Sequence, residues 1–447
     1  MRWKLRRTAV KREYKQRLFN NTFKQVLWYY FLTGVKSTIR SVPKALSAFV
    51  LFITYFVIWS NREYCFKSDL PFTAINNLSL TIYSVFIICG FVLCFGIMMI
   101  LFGTPSHAKR FHDNFQRAGM TNSAMESPAL LSRTYDAQNR RIQRLEFLSK
   151  GLPLSLWQDN KEKIESAQNI TIDRIELGQN NQRIVVYAVD GSYQLPEKII
   201  WDKSCMSDKG FTLVLGESIA SKVEVDLATV PHILLGGSTG SGKTILLKLL
   251  LMQCVLKHAK LYIADFKGGV DFNKSWKQRA AIITEPDKLT DYLDALVEEL
   301  HKRKRLFAEK DCANIDEYNR NFNENLPRCI FACDEVAELL DKTGLGKKDK
   351  EQIQHYEAAI ATLVRLGRAF GIHCILATQR PDANIISGQI KNNIDFRVCG
   401  RADDVLSQII LDKTDANDLI SKTAQGRFLT NTDVLFQAYY FDDKKEW

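Results

Sequence analysis

The chain has 447 residues, of which 46% are hydrophobic and 25% charged, and this composition excludes a wholly disordered or fibrous protein. The net charge of +11 resides in residues 1–44, because the charges of the remaining residues balance. The protein is therefore not a generally basic nucleic-acid coat protein, and its length predicts about three structural units behind a cationic tail.

Two apolar runs follow this tail, residues 45–59 and 78–102, and neither contains a charged side chain. As helices they would be about 22 and 37 Å long, against a hydrocarbon core of about 30 Å. We predict a transmembrane hairpin over residues 45–103, and a buried core helix is the alternative for the shorter run. The flanking basic residues predict a cell-membrane protein with two spans and both termini in the cytoplasm. The tail itself either sets this topology alone or contacts anionic lipid or nucleic acid.

The polar residues 104–165 are predicted to form a helical linker or stalk. A small α+β subdomain is predicted over residues 166–210, because residues 170–177 alternate apolar and polar and a β-branched run follows at 183–189. From residue 211 to 447 apolar strands alternate with helices. This pattern predicts an α/β domain with a parallel sheet that is covered by helices on both faces.

A phosphate-binding loop follows the apolar strand at residues 231–236 and precedes an apolar helix. It reads G-S-T-G-S-G-K-T, which is the pattern G-x-x-x-x-G-K-[ST] in its strand-loop-helix context. Backbone N–H groups of such a loop surround phosphate oxygens, a lysine reaches the β- and γ-phosphates, and a hydroxyl ligates magnesium. The sequence therefore predicts binding of ATP with Mg²⁺, and the predicted nucleotide-binding residues are Gly237, Ser238, Thr239, Gly240, Ser241, Gly242, Lys243 and Thr244.

Two later strands end in polar residues suited to the chemistry of hydrolysis. The apolar run 329–333 ends in Asp334, predicted to support the magnesium shell, and Glu335, predicted to polarise the attacking water. A helix cap is the alternative for Asp334. The run 374–378 ends next to Gln379, which is predicted to sense the γ-phosphate or position water.

Arginines around this last strand are candidates for an arginine finger that completes the site of a neighbouring subunit. Arg368 and Arg397 are the preferred candidates, and Arg365 and Arg401 are the others. A surface ion pair is the alternative for each of them.

Several segments in this order resemble the motor of the FtsK/SpoIIIE family of DNA translocases, over about residues 211–440. They are residues 215–244, A-D-F-K at 264–267, C-D-E-V-A-E-L at 333–339, G-R-A-F-G-I-H at 367–373 and A-T-Q-R-P at 377–381. The resemblance implies a RecA-like ATPase that assembles as a homohexameric ring and moves double-stranded DNA through its pore.

Two predicted spans and a short motor are similar to the FtsK-like coupling proteins of Gram-positive conjugative plasmids and integrative elements. That resemblance implies a membrane motor that delivers DNA bound by a relaxase to the proteins of a transfer channel. Three alternatives stay open: an FtsK-like ATPase of a type VII-like protein-export system, a chromosome-partitioning DNA pump, and a membrane scaffold whose nucleotide site is structural.

Overall fold

The computed structural model describes residues 23–65, 73–136, 139–266, 268, 270–379 and 386–444. The chain divides into two compact units, Met1–Tyr193 and Gln194–Trp447. Half of the predicted basic tail, residues 1–22, and part of the loop between the two apolar runs lie outside the described residues.

The first unit begins with four helices, of which α2 and α4 are long, apolar and antiparallel. The four are α1 (23–40), α2 (Val42–Ser60), α3 (Arg62–Cys65) and α4 (Thr73–Gly103). Tyr55 Oη of α2 lies 3.2 Å from Cys94 Sγ of α4. Both α2 and Asn77–Gly103 of α4 are long and apolar enough to cross a membrane, and only 0% and 11% of their residues are buried. The predicted pair of apolar helices is confirmed, and the alternative of a buried core helix is wrong.

The rest of the first unit is a four-stranded antiparallel sheet packed against short helices. The sheet order is β1-β2-β4-β3. Its elements are α5 (Ala108–Arg117), β1 (Ala129–Tyr135), β2 (Gln143–Leu148), α6 (Leu154–Asp159), α7 (Lys161–Gln168), β3 (Ile170–Leu177) and β4 (Arg183–Asp190). Its core contains the mutually packed rings of Phe115, Phe147 and Trp157.

The hairpin that the sequence predicts is β3 and β4. The helical stalk predicted over 104–165 is wrong, because this segment supplies β1 and β2 as well as three helices. Strand β2 pairs with β4, which lies some forty residues further along the chain, so the two strands are stabilised by the hairpin that follows them. The four strands and the helices α5, α6 and α7 share one hydrophobic core.

The second unit contains a large mixed sheet. Its order is β10-β9-β11-β12-β8-β13-β14-β15-β6-β7, and β5 pairs with β15. The strands are β5 (Ile199–Ile200), β6 (Thr212–Ser218), β7 (Lys222–Asp226), β8 (Ile233–Gly236), β9 (Lys260–Ala264), β10 (Ala280–Ile283), β11 (Cys329–Cys333), β12 (Ile372–Thr378), β13 (Phe396–Cys399), β14 (Arg427–Thr430) and β15 (Leu435–Tyr440). From β10 to β13 the strands are parallel, as predicted, whereas β14, β15, β6 and β7 extend the sheet in antiparallel pairs.

Helices cover both faces of this sheet, which confirms the predicted α/β class. They are α8 (Lys243–Leu256), α9 (Lys274–Lys277), α10 (Pro286–Glu309), α11 (Ile315–Phe322), α12 (Val336–Leu340), α13 (Lys347–Phe370), α14 (Gly388–Lys391), α15 (Asp404–Leu411) and α16 (Asp415–Leu419). Helices α10, α12, α13 and α15 bury one face, and α8 buries the other. Both faces of the central strands are thus apolar, which explains the continuous apolar run C-I-F-A-C of β11.

The boundary predicted at residue 210 is also moved by the structure. Residues 194–210 belong to the second unit, because Ile199 of β5 pairs in parallel with Tyr439 of β15. The small subdomain ends instead at Tyr193.

Candidate functional site

The glycine-rich loop joins β8, which lies between β12 and β13, to the first turn of α8. Gly240 and Gly242 have φ angles of 78° and 98°, in the left-handed region that favours glycine. A Cβ on Gly242 would lie 3.0 Å from the backbone nitrogen of Gly426. Helix α8 begins at Lys243, so the N–H groups of its first turn and of the loop form an anion cradle at the carboxyl edge of the sheet.

Lys243 and Thr244 both converge on Asp334, which directly follows β11. The Lys243 ammonium is buried and donates to the Asp334 carbonyl oxygen at 2.5 Å and to its Oδ1 at 3.2 Å. Thr244 Oγ1 donates to the same Oδ1 at 3.2 Å. The predicted grouping of a phosphate-binding lysine, a hydroxyl and a carboxylate is therefore present in the folded chain.

The distance between Thr244 Oγ1 and Asp334 Oδ1 suits two ligands of one magnesium ion. Two neighbouring ligands of an octahedral Mg²⁺ lie about 3.0 Å apart when each metal–oxygen distance is about 2.1 Å. Within the described ranges, no group of three or more His, Cys, Asp or Glu side chains has the arrangement of a metal site. Thr244 and Asp334 would accordingly share the cation with phosphate oxygens and water, as Mg²⁺ sites in phosphoryl-transfer proteins do.

Glu335 is held in place by two donors from the neighbouring strand. Its Oε1 accepts a hydrogen bond from Thr378 Oγ1 at 2.7 Å, and its Oε2 accepts one from the Gln379 backbone N–H at 2.9 Å. Strands β11 and β12 pair in parallel with Cys333 opposite Leu376, so both strands release their polar residues at the same edge. These two contacts orient the carboxylate of Glu335 next to Asp334. Both donors are neutral groups, a hydroxyl and a backbone N–H.

Gln379 also joins this strand end to the phosphate loop. Its Oε1 accepts a hydrogen bond from Thr239 Oγ1 at 2.9 Å. The predicted sensor residue thus contacts the loop through its side chain and Glu335 through its backbone. A change in the loop can therefore reach the carboxylate through one residue.

A further carboxylate lies at this edge of the sheet, and the sequence pattern did not mark it as a site residue. Asp265 directly follows β9, the neighbour of β11, and is 2% exposed. It lines a cavity together with Asp334, Glu335 and Glu338. Beneath them, burial raises the pKa of the Cys333 thiol to about 12, so the strand end contributes no thiolate to this acidic cavity.

The two preferred arginine-finger candidates do not lie at the phosphate loop of their own chain. Arg397 forms an ion pair with Asp412 at 2.6 Å, and Arg368 donates to the Ala228 carbonyl oxygen at 3.2 Å from an exposed position. Arg368 precedes β12 and therefore lies near the amino edge of the sheet. Neither of these contacts is with a residue of the phosphate loop.

Arg401 does contact the phosphate loop. It follows β13, and its two terminal nitrogens donate to the carbonyl oxygens of Thr239 at 2.6 Å and Lys422 at 2.7 Å. The sequence shows an arginine two residues after a strand end, but only the adjacency of β13 and β8 places it here. Its guanidinium thereby braces the loop by holding the Thr239 carbonyl oxygen.

The chain is similar to known proteins in sequence and in fold. The family model described as FtsK/SpoIIIE family matches residues 198–383. The DNA translocase FtsK of Helicobacter pylori (strain ATCC 700392 / 26695) is 30% identical over 299 residues, which are 64% of this chain and 33% of that protein. The DNA translocase FtsK of Clostridium tetani is 32% identical over 234 residues, which are 49% of this chain and 30% of that protein. The chain thus spans about a third of the length of these curated relatives.

One solved structure is similar over most of both chains. It is the pCW3 conjugation coupling protein TcpA in its monomer form with ATPγS, at 36% sequence identity and a TM-score of 0.56. The match covers 76% of this chain and 96% of that one. The fold of the second unit is therefore that of the P-loop ATPases to which these similar proteins belong.

Proposed function

The chain belongs to the FtsK/SpoIIIE family, and from that premise we propose that it is a membrane-anchored, ATP-driven DNA translocase. We further propose that it acts as a coupling protein, which delivers double-stranded DNA to a conjugative transfer channel. The observation that carries the proposal is the convergence of Lys243, Thr244, Asp334 and Glu335 at one edge of the sheet. The similarity to a conjugation coupling protein over 96% of that chain supports the choice of process.

In this proposal Lys243 and the loop N–H groups bind the phosphates. Bound ATP brings Mg²⁺, which would be held by Thr244 and Asp334 and would neutralise charge on the γ-phosphoryl group. Lys243 exchanges its two contacts with Asp334 for contacts with phosphate oxygens, and the Asp334 carboxylate then faces the cation. The buried position of Lys243 strengthens its attraction to the phosphates, because little water screens it.

Glu335 positions and polarises the attacking water. Thr378 and the Gln379 N–H fix both of its oxygens, so the carboxylate does not have to reorient when water arrives. Gln379 carries the state of the phosphate loop to this carboxylate through Thr239. The site therefore binds nucleotide and activates water with residues of a single chain.

A neighbouring subunit supplies the remaining positive charge. Arg368 or Arg397 acts in trans as an arginine finger, since neither lies at its own phosphate loop, and the active form is a homohexamer. Arg368 suits this role better in one respect, because Arg397 is already engaged by Asp412. Mixing an Arg368→Ala subunit with a Lys243→Ala subunit should restore part of the activity if Arg368 is the finger, and Arg397→Ala is the parallel test.

The apolar helices α2 and α4 anchor the motor in the cell membrane. The charge of residues 1–44 supports a topology with both termini in the cytoplasm, on the side of the relaxase and the channel proteins that we propose as partners.

The test is ATP turnover by the full chain in nanodiscs with duplex DNA, single-stranded DNA or no DNA. The proposal expects duplex DNA to stimulate turnover most, and it expects Glu335→Gln to remove turnover under all three conditions. Equal turnover with and without DNA would contradict a DNA motor and would favour the protein-export alternative.

A further inference from the structure

Helix α1 has two opposite faces, and the described part of the chain covers only one of them. The inner face contains Tyr30 and Gly34, which are buried. Opposite them runs an apolar stripe with the spacing i, i+4, i+7, i+11: Trp28, Leu32, Val35 and Ile39. Trp28 is 61% exposed, Leu32 42% and Ile39 80%. A helix in water does not gain from such a stripe, so the pattern indicates an apolar environment on this side.

The inner face fixes α1 rigidly to the end of the second candidate span. A Cβ on Gly34 would lie 1.8 Å from the Met99 carbonyl oxygen, and one on Gly103 would lie 1.8 Å from the Tyr30 carbonyl oxygen. The two helices therefore touch through their backbones, as small residues allow. The Tyr30 hydroxyl donates to the Leu130 carbonyl oxygen of β1 at 2.7 Å and so joins the same helix to the small sheet.

These contacts also set the depth of α1 relative to the candidate span. Thr38 Oγ1 lies 3.6 Å from Met99 Sδ, and Met99 is four residues before the end of α4 at Gly103. Four residues of helix correspond to about 6 Å. The last turn of α1 is thus level with the last turn of the candidate span, where Lys44 also donates to the Phe102 carbonyl oxygen.

The charges around the apolar stripe are all of one sign. Residues 23–44 contain Lys24, Lys36, Arg40 and Lys44 and no acidic residue. At 100° per residue, Lys24 falls on one flank of the stripe and Lys36 and Arg40 on the other. All three are exposed. Basic side chains close to an anionic leaflet are attracted to its lipid phosphates.

We propose that α1 lies in the headgroup layer of the membrane, with the stripe of Trp28, Leu32 and Ile39 among the acyl chains and its basic flanks on anionic lipid phosphates. This inference rests on the membrane anchoring proposed above. A lipid surface fits better than a second copy of the chain for two reasons. The stripe continues into α2 after the single residue Ser41, and tryptophan with basic flanks is typical of a membrane interface.

The same contacts give this placement of α1 a mechanical consequence. Because Gly34 is locked to α4 and Tyr30 to β1, a helix held on the bilayer surface fixes the small sheet relative to the membrane. Helix α1 then acts as a strut, and the anchor does not depend on the two spans alone.

The experiment is fluorescence quenching of the full chain in phosphatidylcholine vesicles with or without phosphatidylglycerol. The quencher is phosphatidylcholine brominated either near the headgroup end or near the terminal end of its acyl chains. Subtracting the signal of Trp28→Phe isolates Trp28, because the other tryptophans contribute equally to both proteins. The inference expects stronger quenching of Trp28 by the shallow bromines than by the deep ones.

A charge variant tests the basic flanks. Lys24→Gln/Lys36→Gln/Arg40→Gln should lose the increase in Trp28 quenching that phosphatidylglycerol causes, whereas neutralising the exposed Lys347 and Lys348 should leave it unchanged. Added duplex DNA should not alter Trp28 quenching. Displacement of Trp28 from lipid by DNA would assign the basic flanks to nucleic acid and overturn the inference.

Alkaline extraction of the same vesicles separates the two possible failures. A chain that is extracted contradicts the membrane anchoring itself. A chain that stays in the membrane while Trp28 is not quenched contradicts only the placement of α1. Protection of Trp28 together with cross-links between copies through Leu32→Cys would assign the stripe to a second copy and would also overturn the inference.

Discussion

Replacing Thr378 by valine isolates the orientation of Glu335 from all other functions of the site. Valine has nearly the same shape as threonine but cannot donate the 2.7 Å hydrogen bond to Glu335 Oε1. Both residues are buried, with Thr378 0% and Glu335 9% exposed, so water does not readily replace the lost donor. The Gln379 N–H still holds the other carboxylate oxygen.

The magnitude follows from the charge of the acceptor. A hydrogen bond to a charged group contributes about 1.5–3 kcal/mol. If this orientation matters mainly in the transition state, kcat should fall by about 10- to 150-fold. Nucleotide affinity should change little, because the hydrogen bond that valine removes ends on Glu335 and not on a residue of the phosphate loop.

The assay is DNA-stimulated ATP turnover of the full chain at saturating nucleotide, with affinity measured separately by a fluorescent ATP analogue. Thr378→Ser is the matched control, since it keeps the hydroxyl and loses only a methyl group. The reasoning is refuted if the valine and serine variants have the same kcat, or if the valine variant loses nucleotide affinity instead of turnover.

Three further predictions concern other parts of the second unit. Glu335→Gln should bind the ATP analogue as the unchanged protein does but hydrolyse no ATP; full turnover would move the catalytic role elsewhere. Arg401→Ala should weaken nucleotide binding by about tenfold through loss of its hold on the loop, while the exposed control Arg320→Ala should have no effect on the same titration. Burial lowers the pKa of His232 to about 3 and that of His373 well below its ordinary value, so only the unfolded chain binds these protons as the pH falls below about 6.5. Stability against urea should therefore be complete above pH 6.5 and decrease by roughly 2 kcal/mol per histidine by pH 5, and a stability that is flat over this interval would contradict the burial of both rings.

The parts of the site that the sequence predicts are those built from neighbouring residues. The loop from Gly237 to Thr244 is contiguous, and its strand and helix flanks are apolar enough to be recognised without knowing the rest of the fold. The same holds for the strand ends at Asp334 and Gln379, because a run of apolar residues that stops at polar ones marks the edge of a buried sheet.

The parts that the sequence did not predict depend on which strands are neighbours. Thr378 reaches Glu335 because β11 pairs with β12, and Arg401 reaches Thr239 because β13 pairs with β8. Strand order is a long-range property of packing, and local periodicity does not carry it. The antiparallel extension of the sheet and the pairing of β5 with β15 have the same origin.

The stalk prediction failed for a related reason. Strand β1 reads A-L-L-S-R-T-Y and β2 reads Q-R-L-E-F-L, and neither alternates clearly because only part of each strand is buried. Pairing with β4 supplies the missing stability. Segments of this kind form strands only in the presence of their sheet.

The measurement that tests the central claim most directly is displacement of a third DNA strand from a triplex by the full chain in nanodiscs. A motor that moves along duplex DNA removes the third strand in its path and needs ATP hydrolysis to do so. The account predicts displacement with ATP, none with ATPγS and none with Glu335→Gln. Vigorous ATP turnover without any displacement would contradict the claim that hydrolysis at this site moves DNA.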